Sequence, residues 1–336
     1  MKSTVALPGV GSAPGRKSNR DASEKPRAGV KSLRITVLSG GPGGEREVSL
    51  QSGRAVHEAL GRLGHRVVTA DINPNNLGPL EREADLVFIA LHGEFGEDGT
   101  VQRELDRRGI AYTGSGEAAS RLAMNKVEAK KRFQSAGIPT PAFEHVTAGC
   151  LREVADRFEV PTVVKPVSSG SSVDTCIART REALSGAAGD VVRRYGEALV
   201  EQYISGRELT VGVLGDDALP VCEIRTRREF YDYQAKYVDD DTQYLFDLDL
   251  SPATLREVQR MSILAHRSLG CEVFSRVDWM IDRDTGQPFA LEVNTIPGFT
   301  SHSLVPKAAG RIGLSFDALC QRIIELSLAK PRLASG

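Results

Sequence analysis

The sequence predicts an α/β protein that opens with a parallel sheet covered by helices and continues into two parts of α+β character. Three observations carry this. From Leu33, β-branched runs alternate with apolar residues at helical spacing. After "YTGSG", a helical pattern leads into short strands around a glycine-serine turn. From about Gln202 come a hairpin, an irregular tyrosine-rich stretch, a helix, two strands and a closing helix. A chain of 336 residues also exceeds a single core, since cores stop growing at roughly 250 to 300 residues. The expected layout is a tail over 1–32, an N-terminal open parallel α/β domain over 33–115, a central domain over 116–201 and a C-terminal domain over 202–336.

Residues 1–32 are rich in Gly, Ser, Ala, Pro, Lys and Arg, which marks a disordered tail; "VALPGV" is too short and broken for a signal-peptide core. "LRITVLS" reads as the first strand, Val48, Ser52, Ala55, Val56, Ala59 and Leu63 as one helix face, and "HRVVTADI" and "DLVFIAL" as further strands. The functional edge of such a sheet is the carboxyl end of its strands, here the turn before Arg46 and "LHGEFGEDGT". The glycine turn imitates a phosphate loop without matching one. Counting from Gly41, the third fingerprint glycine of a dinucleotide fold is Arg46, and the Gly-Lys-Ser/Thr of a P-loop is replaced by Gly44, Glu45 and Arg46. Asp71 sits roughly where a ribose-binding acid would, so the dinucleotide reading is weakened and stays open. Glu45 at a helix N-terminus would repel a phosphate; it either caps its own helix or faces something cationic.

In the central part, "SRLAMNKVEAKKRFQSAGIPTP" predicts one helix ended by Gly137 and the prolines, with Ala123, Val127, Lys130 and Gln134 at helical steps. "PTVVKP" and "ALVEQYI" are strands around "VSSGSSV". Lys165 closes the first strand, and the N–H groups of Gly170, Ser171 and Ser172 would suit a phosphate; alone, such a lysine simply snorkels to water. In "LVEQYISGRE", a backbone N–H would read an adenine edge and a carboxylate would take ribose hydroxyls, the alternative being an ordinary strand and turn with surface acids. The hairpin "ELTVGVLGDDALPVCEI" turns at Gly-Asp-Asp, and a helix runs from about Pro252 to Leu269. Tyr231, Tyr233, Tyr237 and Tyr244 fall in a stretch without period, read as a mobile lid, the alternative being a surface loop with partly buried rings.

In "SRVDWMI" and "ALEVNTIPG", residues two apart share a strand face, which pairs Arg276 with Asp278 and Glu292 with Asn294. Their hard oxygens suit Mg²⁺ shared with nucleotide phosphates; the alternative is a solvent-facing strand with Arg276 paired to Asp278. The charge balance, 43 Lys and Arg against 44 Asp and Glu, argues against a nucleic-acid or anionic-lipid partner and for a small ligand. Five isolated cysteines and six histidines without a His-Glu-x-x-His pattern suggest neither zinc nor disulfides. With no apolar run of membrane-spanning length, a cytoplasmic protein with no membrane partner is expected.

In order along the chain, "GGEREVSLQSG", "LHGEFGEDGT", "YTGSG", "VVKPVSSGSSV", "FYDYQAKY", "RVDWMI" and "LEVNTIPGFTSHSLVPKAA" resemble the D-alanine–D-alanine ligases of the ATP-grasp superfamily, from about residue 33 to the C-terminus. The resemblance implies a three-domain ATP-grasp fold, ATP between the sheets of the second and third domains, a D-alanyl phosphate intermediate and a role in peptidoglycan synthesis. It also implies two Mg²⁺ or Mn²⁺ ions on Asp278, Glu292 and Asn294, and ATP phosphates on Lys126 and Lys165, with Lys236 near the transferred group. Adenine would meet the segment from Glu201 to Ile204, and ribose Glu208. Arg276 and the Gly298 N–H would stabilise the oxyanion; Ser303 and Lys236 would hold the second substrate's carboxylate. His92 would lie near the first D-alanine, with Glu45 facing its ammonium, and Ser171 and Tyr237 would tie the tyrosine loop down toward Glu45. A homodimer is implied as well.

Two positions depart from the family pattern. Asp174 stands where glycine is frequent and Gln234 where glutamate is, and both read as changes of loop charge. The same machinery would serve a D-alanine–D-lactate or D-alanine–D-serine ligase, although "YDYQAKY" resembles the dipeptide-forming type. A non-catalytic ATP-binding regulatory module would have lost a metal ligand or a phosphate lysine, and none is missing.

Overall fold

The computed structural model describes residues 31–226, 241–300 and 303–330. Its first sheet is parallel, in the order β2-β1-β3, from β1 (Arg34–Gly40), β2 (Arg66–Ile72) and β3 (Leu86–Ile89). Helix α1 (Arg46–Arg62) buries Val48, Val56, Ala59 and Leu60, and α2 (Thr100–Arg107) buries Val101 and Leu105. At Gly53 helix and strand approach so closely that a Cβ would lie 2.6 Å from that of Ser39. The close-packing glycine thus sits inside the helix, seven residues after the place a dinucleotide fingerprint assigns to it.

The helix predicted across "SRLAMNKVEAKKRFQSAG" is two helices, α3 (Glu117–Met124) and α4 (Lys126–Ser135). Asn125 between them adopts φ −82° and ψ 99°, and its side chain accepts a hydrogen bond from the Glu128 N–H. An asparagine amide competes for the N–H groups a helix start leaves unpaired, so the apolar period runs on while the backbone restarts. The restart places Lys126 in the first turn, where its N–H donates to the Val167 carbonyl at 3.0 Å.

Next come β4 (Phe143–Thr147), α5 (Val154–Arg157), β5 (Thr162–Pro166), β6 (Cys176–Ala178), α6 (Arg181–Tyr195) and β7 (Glu197–Gln202). The four strands form an antiparallel sheet, β4-β7-β5-β6. The last sheet uses β8 (Gly206–Leu214), β9 (Asp217–Ala218), β10 (Cys222–Arg225) and β11 (Gln243–Leu245), then, after α7 (Pro252–Ser268), β12 (Phe274–Asp282) and β13 (Pro288–Asn294). Its order is β11-β10-β8-β12-β13, with β9 beside β8. The hairpin turns on Gly215 and Asp216, because Asp217 already pairs with Leu214. Tyr244, expected in the lid, lies on edge strand β11 opposite Ile224. The single closing helix is two, α8 (Leu304–Arg311) and α9 (Phe316–Leu328).

Phe299 joins the first sheet to the last. Its ring meets Phe88 of β3 edge-on at 5.7 Å and Phe274 of β12 at 5.5 Å, contacts worth ~0.5–1.5 kcal/mol each beyond area burial. Gly298, one residue earlier, is thereby held against a rigid wall.

Candidate functional site

A cavity of about 420 Å³ opens between the two antiparallel sheets. Val163 and Lys165 of β5 and Ile177 of β6 line one side, with Asp278 and Met280 of β12 and Leu291 and Glu292 of β13 on the other. Strand β7 leads along it through Glu201 to Tyr203 and Ile204, and Glu208 on β8 follows. The apolar walls suit a flat ring, and the cavity meets a second, smaller one of about 50 Å³. Lys126, Ser169 and Glu292 line both.

At this junction the Lys126 ammonium donates to the Ser169 carbonyl and stands 3.7 Å from Glu292 Oε2. Lys165 Nζ lies 2.5 Å from Glu201 Oε1. The other carboxylate oxygen of Glu201 meets Lys130, a wholly buried lysine, at 2.7 Å. Burial works to raise the Glu201 carboxyl, but the two ammonium groups hold it below its ordinary value.

The smaller cavity gathers Glu45, His92, Glu97, Ser171, Arg276, Asn294 and Gly298. The Glu45 side chain makes no cap to α1; its carboxylate accepts the Ser171 hydroxyl. A Cβ at Gly93, whose φ is +68°, would overlap this carboxylate, so only glycine lets the chain pass there. The capping alternative therefore falls. His92 is buried with Nδ1 3.2 Å from the Ile296 carbonyl and Nε2 3.0 Å from Ser52 Oγ. A carbonyl only accepts, so Nδ1 carries the proton and Nε2 accepts from Ser52. Ser52 in turn accepts the Phe299 N–H at 3.2 Å. Glu97 Oε1 is 3.6 Å from His92 Nδ1. Burial lifts the Glu97 carboxyl above the usual range, His92 opposes this and Glu45 adds to it.

Arg276 and Asp278 are paired, as one alternative required, but they are buried and not solvent-facing. Arg276 Nε and Nη2 donate to the two Asp278 oxygens at 2.9 and 2.7 Å, and Thr210 Oγ1 adds a third donor at 2.6 Å. Glu292 is the register partner of Asp278 across β12 and β13, and Asn294 that of Arg276. Among the described residues no three His, Cys, Asp or Glu form a metal cage; the set here is two carboxylates and an amide. Three donors leave one of about four acceptor positions on Asp278, so these hard oxygens fit a shared Mg²⁺ or Mn²⁺. Ser303 lies beside Gly298, where a Cβ would come 2.8 Å from its Oγ, and that Oγ accepts the Thr300 N–H at 2.9 Å. Lys236, Tyr237, Tyr231, Tyr233 and Gln234 lie outside the described residues.

The first backbone donors of the glycine turn are engaged within the protein and not turned to a phosphate. The Gly40 N–H donates to Ser49 Oγ at 2.9 Å and the Gly41 N–H to the Ile72 carbonyl at 3.0 Å. Arg46, in place of the fingerprint glycine, pairs with Asp71 through Nη1 and Oδ1 at 2.9 Å. The supposed ribose acid is thus engaged by the residue that broke the fingerprint, which removes the dinucleotide reading.

Four residues escaped the sequence reading as site components. Lys130 had a signal, a lysine on the apolar period of its helix. Glu97 and Ser52 had none beyond lying in segments already noticed, because their roles depend on contacts across the fold. Asp174, read as a change of loop charge, ties the serine loop to the end of α6: its carboxylate accepts the Tyr195 hydroxyl and meets Arg194 at 2.6 Å.

Models of two families match the chain: "D-ala D-ala ligase C-terminus" over residues 133–325 and "D-ala D-ala ligase N-terminus" over 73–115. The D-alanine–D-alanine ligase of Bordetella petrii is 44% identical over 91% of this chain and 96% of its own length. Among solved structures, the Bacillus anthracis D-alanine–D-alanine ligase complexed with ATP superposes with a TM-score of 0.78, at 34% identity, over 89% of this chain and 98% of that one. The Enterococcus faecalis VanG D-Ala:D-Ser ligase gives 0.78 at 29% identity, over 88% and 100%.

Proposed function

The chain belongs to the D-alanine–D-alanine ligase family, with the ATP-grasp fold, and from that premise we propose that it joins two D-alanines into D-alanyl-D-alanine for peptidoglycan precursor synthesis, using ATP. The observation that carries this reading is the junction of the two cavities: Lys126, Ser169 and Glu292 line both. A nucleotide in the larger cavity brings its terminal phosphate to the mouth of the smaller one, where an amino acid is held.

A carboxylate oxygen of the first D-alanine attacks the terminal phosphorus, ADP leaves, and an acyl phosphate forms. The second D-alanine, its amine deprotonated, attacks the carbonyl carbon; the tetrahedral intermediate collapses as phosphate departs. Lys126 and Lys165 neutralise phosphate charge, Ile204 and the Glu201 backbone meet adenine, and Glu208 takes the ribose. Glu45 faces the first ammonium, with Ser171 holding its carboxylate in place. His92, fixed by Ser52 and Ile296, closes the wall of that site. The Arg276 guanidinium and the Gly298 N–H, both lining the smaller cavity, are donors for the oxyanion, and Ser303 beside Gly298 receives the second carboxylate. Lys236 and Tyr237 complete the set from the tyrosine loop. Asp278, Glu292 and Asn294 would hold Mg²⁺ or Mn²⁺, which when bound neutralises charge on the transferring phosphoryl group.

D-Alanine is the preferred second substrate, because curated relatives at 40–44% identity over about nine-tenths of this chain are named as D-alanine–D-alanine ligases. The same reading makes the protein a cytoplasmic homodimer, checked by light scattering of the purified chain. ADP release with D-alanine, D-lactate or D-serine as acceptor tests the activity. Turnover independent of D-alanine, or none with ATP, Mg²⁺ and D-alanine together, would refute it.

A further inference from the structure

Lys130 has no part in the reaction described above, yet it is a fully buried ammonium. It lies on α4 one turn after Lys126 and does not line the ATP cavity. Its Nζ is 2.7 Å from Glu201 Oε2, donates to Thr140 Oγ1 at 2.6 Å and lies 5.5 Å from the Phe143 ring centroid. Thr140 Oγ1 in turn donates a hydrogen bond to the Ala290 carbonyl on β13 at 2.7 Å. The lysine therefore sits between Glu201, Thr140 and the Phe143 ring.

One lysine would have sufficed to neutralise Glu201. Lys165 already stands 2.5 Å from its other oxygen, and a second buried ammonium leaves the trio with one net positive charge. That excess is unfavourable; burial is the main cause bringing the Lys130 pKa down to about 8. A costly group of this kind calls for a gain elsewhere, and Lys165 supplies it. Lys165 lines the cavity, and in the ATP reading it turns toward a phosphate when the nucleotide enters. Were Glu201 held by Lys165 alone, that turn would strand a carboxylate that is 3% exposed, at a cost of several kcal/mol.

We propose that Lys130 is the standing counter-ion of Glu201, a positioning residue that lets Lys165 pass from the carboxylate to a nucleotide phosphate without leaving a buried charge unpaired. The inference rests on the ATP reading of the larger cavity. It predicts a defect in binding phosphates, not in binding the adenine ring.

The test compares ATP with adenosine, which lacks phosphates, by calorimetry on the full-length protein. Lys130→Met should weaken ATP roughly 10- to 100-fold, because Glu201 now keeps Lys165, while adenosine affinity stays within about twofold. Adding Glu201→Gln should restore most of the ATP affinity, since the neutral amide releases Lys165. Equal loss of ATP and adenosine, unchanged ATP affinity, or further loss in the double variant would overturn the proposal. If Lys130→Met does not fold, as judged by circular dichroism, the double variant decides alone: near-normal ATP binding supports the proposal and weak binding refutes it. Failure of the unaltered protein to bind either ligand would instead count against the ATP reading itself.

Discussion

A glycine-rich turn and a serine-rich loop meet at the smaller cavity, and the charged side chains beside them are of opposite sign. The turn at residues 40–45 spends its first backbone donors inside the protein, on Ser49 and Ile72, and sends a carboxylate, Glu45, into the cavity. The loop at 167–175 bends through left-handed backbone at Ser171, Ser172 and Asp174, with φ of 51°, 55° and 55°, and is flanked by Lys126 and Lys165. Glycine reports only that the chain bends sharply or passes something closely. The charged side chains at the ends of the turn decide which ligand it faces. Their contact is the Ser171 hydroxyl on Glu45, which in the proposed reading joins the amino-acid side to the phosphate side.

Substitutions can break this division. Lys126→Ala, on the phosphate side, should lower kcat/KM by about 10²- to 10³-fold, with the loss in ATP affinity and phosphoryl transfer; a loss confined to D-alanine would contradict it. Glu45→Gln should raise the KM of the first D-alanine roughly 10- to 100-fold, the size expected for one member of a buried charge pair, and leave the ATP dissociation constant unchanged. An equal loss of ATP affinity would erase the distinction between the turns. Asp174→Gly removes the tie to Tyr195 and Arg194 but relieves left-handed strain worth about 1 kcal/mol. The melting temperature should hardly move while amide exchange across 168–175 quickens several-fold; unchanged exchange would show that the tie does not restrain the loop. Arg46→Gly rebuilds the missing fingerprint glycine. It should cost about 1 kcal/mol in denaturant unfolding, from a surface ion pair and a glycine in a helix, and confer no affinity for NAD, because the backbone donors remain engaged.

Much of this was legible because strand and helix periods are local. β1 to β3, β12 and β13 fall where alternation or apolar runs placed them, and the pairs Arg276 with Asp278 and Glu292 with Asn294 were readable from residues two apart on one strand, whereas the register that sets Asp278 opposite Glu292 was not. The break at Asn125 was not, since an N-cap leaves the apolar period intact. Nor was β11, three residues that among the described residues form a sheet edge beside β10.

The sequence by itself determined the element types, the order of the blocks and the kinds of charge available, because these follow from period, turn chemistry and residue identity within a few positions. Tertiary structure alone decided which charges meet. Ser171 reaches Glu45 across 126 positions, and Lys130 and Lys165 converge from a helix and a strand on one carboxylate of a second strand. Such pairings depend on Coulomb forces at a few ångströms in a desolvated interior, a distance the chain sets only by folding. Glu45, first noticed as the wrong residue for a phosphate loop, acquired its role the same way.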